Sequence, residues 1–133
     1  MNAPSTDIKD VLVSEGAWVF ATDLFISAQP ATPMNSSTIF DTTSTPPDGT
    51  LDGNDVFLNE SIMIWVRNSS YQDAYSETQS IISILHNKAG FTVNGTKYLH
   101  CTLASGPNTL TGGVGEGDYS EFSINFNMIR ERN

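Results

Sequence analysis

The stretch that most constrains this chain is its last third, FTVNGTKYLHCTLASGPNTLTGGVGEGDYSEFSINFNMIRERN. Asn94-Gly95 lies between two β-prone runs, and an Asn-Gly pair in that setting supplies the positive-φ positions of a tight hairpin turn. Beyond a Gly-rich segment, Phe122, Ile124, Phe126 and Met128 alternate with Ser123, Asn125 and Asn127. That period of two belongs to a strand with one face in a core. A hairpin and a one-sided strand must find cover for their apolar face. The middle of the chain offers it: Tyr71, Ala74, Tyr75, Thr78, Ile81, Ile82 and Leu85 recur at helical spacing. Ser69 is the expected N-cap of that helix, with Gln72 completing a capping box, and Gly90 the expected C-cap.

The remaining elements follow from similar signals. Residues 6–15 read as a short helix, with Ile8, Val11 and Leu12 on one face and Gly16 to end it. AWVFATDLFISAQP is a β-prone run divided near Thr22-Asp23 and stopped by Pro30 and Pro33. Ser37 to Asp41 reads as a short strand, and residues 42–60 begin as a long Pro- and Gly-rich loop. In SIMIWVR, Ile62, Ile64 and Val66 share one face while Met63 and Trp65 take the other, so this strand is expected to be covered on both sides. The order is then α-β-β-β-α-β-β-β. The expected fold is one α+β domain over 1–133, a mixed or antiparallel sheet on one long helix with a short N-terminal helix. Its expected core is Ile62, Ile64, Val66, Tyr75, Ile82, Leu85, Leu99, Phe122, Ile124 and Phe126.

Charge excludes some functions. The 133 residues carry a formal net charge of −9, whereas gripping phosphates needs a basic stripe. No Lys or Arg occurs between Lys9 and Arg67, an interval that holds eight acidic residues, Asp10, Glu15, Asp23, Asp41, Asp48, Asp52, Asp55 and Glu60. Cys101, the one cysteine, excludes an internal disulfide and reads as a small buried hydrophobe. The N-terminal residues lack a basic start followed by an apolar run, so no secretion signal is expected. No apolar segment approaches the roughly 20 residues of a membrane span.

The motifs that invite chemistry are weak. Asp48, Thr50, Asp52 and Gly53 approximate half of an EF-hand loop, but Asn59 stands where the bidentate Glu belongs and strands flank it. The bland reading, an acidic solvated loop, is preferred, and a calcium- or glycan-binding module is the alternative. GGVGEGDYS has Gly117 where a calcium-binding nonapeptide needs Asp, and Gly113, Gly115 and Gly117 lack dinucleotide-binding spacing. His100 and Cys101 are strand neighbours whose side chains diverge, and His86 falls at a helix end. No catalytic residue, cofactor or metal site is expected, and the four N-x-[ST] sequences at Asn35, Asn59, Asn68 and Asn94 read as chance in a Ser- and Thr-rich chain.

From Ser37 onward the order of landmarks resembles a phage family. They are TIFDT, an acidic Pro- and Gly-rich loop, Val66-Arg67, Tyr71-Ala74-Tyr75, the Val93 to Tyr98 hairpin TVNGTKY, and Phe122, Asn125, Phe126, Ile129, Arg130 and Glu131. This is similar to the bacteriophage minor capsid or tail completion proteins, related in fold to the tail terminators of long-tailed phages. Asn68-Ser69-Ser70 departs from the Gly that relatives often carry before the aromatic. The resemblance implies a non-enzymatic virion protein of the tail or neck, assembled in the bacterial host cytoplasm. It implies a hexameric ring that caps the tail tube and joins it to head-side connector proteins, with genomic DNA passing through unbound. A head-side connector ring is the neighbouring alternative. On that reading Met63, Trp65 and Arg67 are candidate subunit contacts. Asp48, Asp52 and Asp55 in one loop, and Glu116 and Asp118 in the other, are candidate axial docking residues.

Overall fold

The computed structural model describes residues 1–16, 18–42, 48–49, 55–109 and 119–131. Nine elements follow one another: α1 (Pro4–Glu15), β1 (Leu24–Ile26), β2 (Ser36–Asp41), β3 (Asp48–Gly49), β4 (Asp55–Asn68), α2 (Tyr71–Leu85), β5 (Lys88–Val93), β6 (Thr96–Thr109) and β7 (Ser120–Glu131). The α+β class stands. The order differs from expectation by β3, which turns back from the acidic loop to pair Asp48 with Phe57 and Gly49 with Asp55 on β4. The helix of residues 6–15 also starts earlier, with Pro4 inside its first turn, and at 12 residues it rivals the 15 of α2. The sheet therefore rests on two helices of similar length rather than on one.

Six strands lie in the order β1-β2-β4-β7-β6-β5, with β3 beside β4. All neighbouring pairs are antiparallel except β1 with β2. The last strand is thus central: β7 pairs with β4 from Phe57↔Glu131 to Asn68↔Ser120 and with β6 on its other side. Register puts Ile39, Ile64 and Ile124 on one face, together with Ile62, Val66, Phe122, Phe126 and Met128. Each is buried, and Ile8, Val11 and Leu12 of α1 and Ile81 and Leu85 of α2 close over them. The alternation of β7 continues past Met128, so Arg130 also points inward.

Local deviations from the sequence reading have identifiable causes. Of AWVFATDLFISAQP only Leu24–Ile26 is strand, because Ala21 takes a positive φ and a turn at Val19–Asp23 breaks the run. The α2 N-cap is Ser70, whose hydroxyl accepts the Asp73 N–H at 3.3 Å, and the C-cap is His86, while Gly90 lies within β5. Ser69 is instead held by Asn35, which accepts its N–H. Leu99 is not a core residue. Tyr98 faces Arg130 and His100 faces Ile129, so Leu99 is the extra residue of a β-bulge. The bulge changes the phase of β6 and buries Tyr98 and Cys101 in its place. Tyr75 stays 40 % exposed and Ile82 half-buried, since Ala74, Thr78, Ile81 and Leu85 make the buried face of α2, while Tyr71 and Tyr75 lie at its edge against the Phe122 ring. The hairpin turn is as expected, with Asn94 at φ 50 and Gly95 at φ 76.

Phe126 is fully buried at the middle of the central strand. Phe126→Ala is expected to cost about 3–5 kcal/mol through lost burial and the cavity left behind. Urea denaturation followed by tryptophan fluorescence reads this as a lower midpoint at an unchanged slope.

Candidate functional site

The sheet has an inner face under two helices and an outer face that lacks such cover. On the outer face Phe40 pairs with Met63 and Thr38 with Trp65 in register, with Ser123, Asn125 and Asn127 following on β7. Phe40 and Trp65 meet with ring centroids 5.2 Å apart, and the Trp65 Nε1 points at the Met63 sulfur at 3.3 Å. All three side chains are half-buried. They form an apolar strip beside Ser61, Ser123, Asn125 and Asn127, and Ile129, 38 % exposed, lies farther along β7 on the same face.

Arg67, next on the same face, is spent inside the subunit. It is 8 % exposed, and its guanidinium donates to the carbonyls of Met34 (2.9 Å), Pro33 (3.0 Å) and Pro30, and to the Ser36 hydroxyl. Three fixed carbonyl dipoles replace a carboxylate here, and the planar fork suits them better than an ammonium would. The result anchors the connection from β1 to β2 over the end of the outer face. Arg67 thus borders the Met63–Trp65 strip without presenting its charge there.

A second buried arginine joins the two ends of the chain. Arg130 Nη1 donates to the Asn2 carbonyl at 2.7 Å, and Nη2 donates to Glu60 at 3.0 Å. Asp7, fully buried, lies 3.7 Å from the same guanidinium and accepts the Tyr98 hydroxyl at 2.5 Å and the Asn94 amide at 2.9 Å. Burial, then the neighbouring Asp7 carboxylate, push the Tyr98 phenol well above its ordinary value, so it remains a donor across the usable pH range. At Asp10 burial opposes ionisation, but hydrogen bonds from Lys9 and Asn94 outweigh it and hold the carboxyl below its usual value. That contribution to stability is present above the unfolded carboxylate range and lost as pH falls through the folded value. Removing one member of a buried ion pair leaves the other uncompensated, so Arg130→Met is expected to cost about 3–5 kcal/mol. A double variant with Asp7→Asn, measured in a denaturation cycle, should lose less than the sum of the two single changes.

A cleft of about 560 Å³ opens between the end of α1 and the flank of α2. Glu15, Asp23 and Glu77 line it with Trp18, Asn35, Asn68, Ser80 and Ser83. Gly16 has no side chain because the Trp18 ring lies where one would be, 2.1 Å from a Cβ built there. Glu77 accepts from Trp18 Nε1 and from the Ser37 hydroxyl, each at 2.9 Å, which ties α2 to β2. Glu15 pairs with Lys88 at 2.9 Å, while Asp23 accepts the Val19 N–H at 2.7 Å.

The residues that could do covalent chemistry are engaged elsewhere. Cys101 is buried on the inner face, and burial pushes its thiol up to about 12. His100 bonds Asn87 at 2.8 Å, and His86 Nδ1 accepts the Leu103 N–H at 3.0 Å. Among the described residues no group of three or more His, Cys, Asp or Glu could hold a metal ion. None of the described helices is long and apolar enough to cross a membrane. Asp48 and Asp55 belong to the β3–β4 pairing and Asn59 pairs with Ile129 in β4, whereas Asp52, Glu116 and Asp118 lie outside the described residues, as do 50–54 and 110–118 around them. Cys101 should react with a thiol reagent at pH 8 only as fast as the chain opens. Its labelling rate should rise with urea in step with unfolding. A burst of labelling in the native protein would contradict the inward placement.

The bulge, the Arg67 carbonyl cage and the Asp7–Tyr98–Arg130 join escaped the sequence reading. Only the inward phase of β7, which places Arg130 beside Met128 in parity, could have pointed to the last of these.

Comparison with known proteins agrees with this architecture. A family model described as "Bacteriophage tail terminator protein" matches residues 11–132. A chain of the solved "Virion of native gene transfer agent (GTA) particle" superposes with a TM-score of 0.60 at 10% identity, covering 98% of this chain and 96% of its own. A second solved chain, at 9% identity, covers 81% of this chain and 79% of its own with a TM-score of 0.46. No curated protein matches.

Proposed function

This chain belongs to the bacteriophage tail terminator family, and from that premise we propose that it is a ring subunit that caps the tail tube and joins it to the head. That it is a structural protein of the virion follows from the family; the ring, its partners and its place in the particle are the proposal. The observation that carries it is the Phe40–Met63–Trp65 strip on the sheet face opposite both helices. A Trp among half-buried apolar side chains, on the face opposite both helices, has the composition of an interface centre. The charge supports a channel. A closed ring of copies each at −9 surrounds its passage with negative potential, through which DNA moves without being held. The segments at 42–60 and 105–118, with Asp48, Asp52, Asp55, Glu116 and Asp118, serve as the axial contacts to tube and connector; they include β3, the start of β4 and the end of β6, and connections between strands are where binding residues concentrate.

Assembly of the purified chain into rings, seen by sizing and negative-stain microscopy, tests the reading directly. Trp65→Ala should weaken ring formation more than it lowers the melting temperature of the subunit. A fully assembled Trp65→Ala ring with an unchanged dissociation midpoint would remove the outer face from the interface. Shortening either loop should spare folding yet block joining of heads to tails in complementation of a phage that lacks this protein.

A further inference from the structure

Resting on the ring reading above, we propose that the cleft between α1 and α2 receives Lys97 from a neighbouring copy of this chain, making a head-to-tail contact that repeats around the ring. The argument begins with the chain's few cations. Lys9 pairs with Asp10, Lys88 with Glu15, Arg130 with Glu60 and Asp7, and Arg67 with backbone carbonyls. Among the described Lys and Arg side chains, Lys97 alone has no such partner, and it is exposed beside the β5–β6 turn. That turn is held in place, since Asn94 donates to Asp7 at 2.9 Å and to Asp10 at 2.7 Å, so the base of Lys97 is positioned before any partner arrives.

The cleft has the complementary character. No Lys or Arg is among its lining residues, and Lys88 offsets only Glu15. Among the described residues Asp23 and Glu77 line it with neutral donors alone as their side-chain partners, two carboxylates with no described cation beside them. At 560 Å³ it has room for a long side chain and its hydration. Trp18, 9 % exposed, gives it an apolar wall against which a lysine stem can pack.

Placement then sets the symmetry. The cleft lies by β1, β2 and the end of β4, with Glu15 at one rim reaching Lys88 at the start of β5, whereas Lys97 starts β6 beside the β5–β6 turn, at the other end of β5 from Lys88. Two different patches on one subunit make a heterologous contact, and such a contact closes into a ring when its rotation is right. Pairing the cleft with itself would set carboxylates against carboxylates, which disfavours a two-fold dimer through this surface.

Paired cysteines test the contact. Lys97→Cys combined with Ser83→Cys, oxidised after assembly, should give a ladder of covalently linked copies, and neither single variant should. Lys97→Glu should raise the concentration needed for half-assembly by about tenfold or more, and adding Ser80→Lys and Ser83→Lys should recover most of that loss. Rings of the double-cysteine protein that stay uncrosslinked would overturn the proposal and leave the ring reading standing, with the cleft open to a different partner. So would a ladder from Lys97→Cys alone, or Lys97→Glu rings that form as readily as the parent. If the parent chain forms no ring at all, the ring reading and this contact fall together.

Discussion

Two helices of 12 and 15 residues can cover one face of a six-stranded sheet and no more. Most of what distinguishes this molecule follows from that shortage. The inner face concentrates the apolar residues of every long strand, and burying them is the dominant favourable term in folding. The outer face must then be tolerable in water over most of its area, which Ser123, Asn125 and Asn127 achieve. Where it is not, at Phe40, Met63 and Trp65, the residues cluster instead of scattering. Scattered apolar groups on a surface are ordinary, whereas a strip on the face opposite the helices is the feature on which the proposed interface rests.

The charged interior has a division of labour. Arg67 is satisfied entirely by carbonyls and shapes a loop, while Arg130 gathers Asp7, Glu60, Tyr98 and the Asn2 carbonyl and so ties α1 to three strands. Neither arrangement is needed to fill space, and hydrophobic residues of similar volume often stabilise as well as a buried ion pair. What the polar joins supply is position. Apolar contacts alone let a helix slide along a sheet, whereas Asp7 can reach Tyr98, Asn94 and Arg130 from one setting of α1. α1 makes further ties from Ser5 to Asp41 at one side of the sheet and from Glu15 to Lys88 at the other.

Features set by neighbours in sequence were legible before the structure. The hairpin at Asn94-Gly95, the alternation from Phe122 to Met128, and the Ile8–Val11–Leu12 face each depend on a few adjacent residues. The misreadings depend on distant ones. Leu99 fits a core pattern as well as Tyr98 does, and only the pairing with β7 places the bulge between Tyr98 and His100. Tyr71 and Tyr75 fit the apolar stripe of α2, but they lie at the edge of its buried face against the Phe122 ring and stay exposed. Asp7 carries no signal in the sequence, and only the packing of α1 beside Tyr98 and Arg130 encloses it. The site surfaces divide in the same way. Met63 and Trp65 were visible from strand parity, whereas the cleft is built from four separate segments and left no trace in any one of them.

The central place of β7 bears on the timing of synthesis. The strands β1, β2 and β4 form one ribbon and β5 with β6 another, and β7 alone joins them. A ribosome delivers β7 after all the others, so until it emerges β4 and β6 each present a long unpaired edge and the core has no middle. Nor can α1 be fastened, because Arg130 lies on that same strand. Nascent chains of this protein therefore pass through an interval in which both ribbons invite edge-to-edge pairing with other copies. Over the same interval the outer face is incomplete, since β7 supplies its middle.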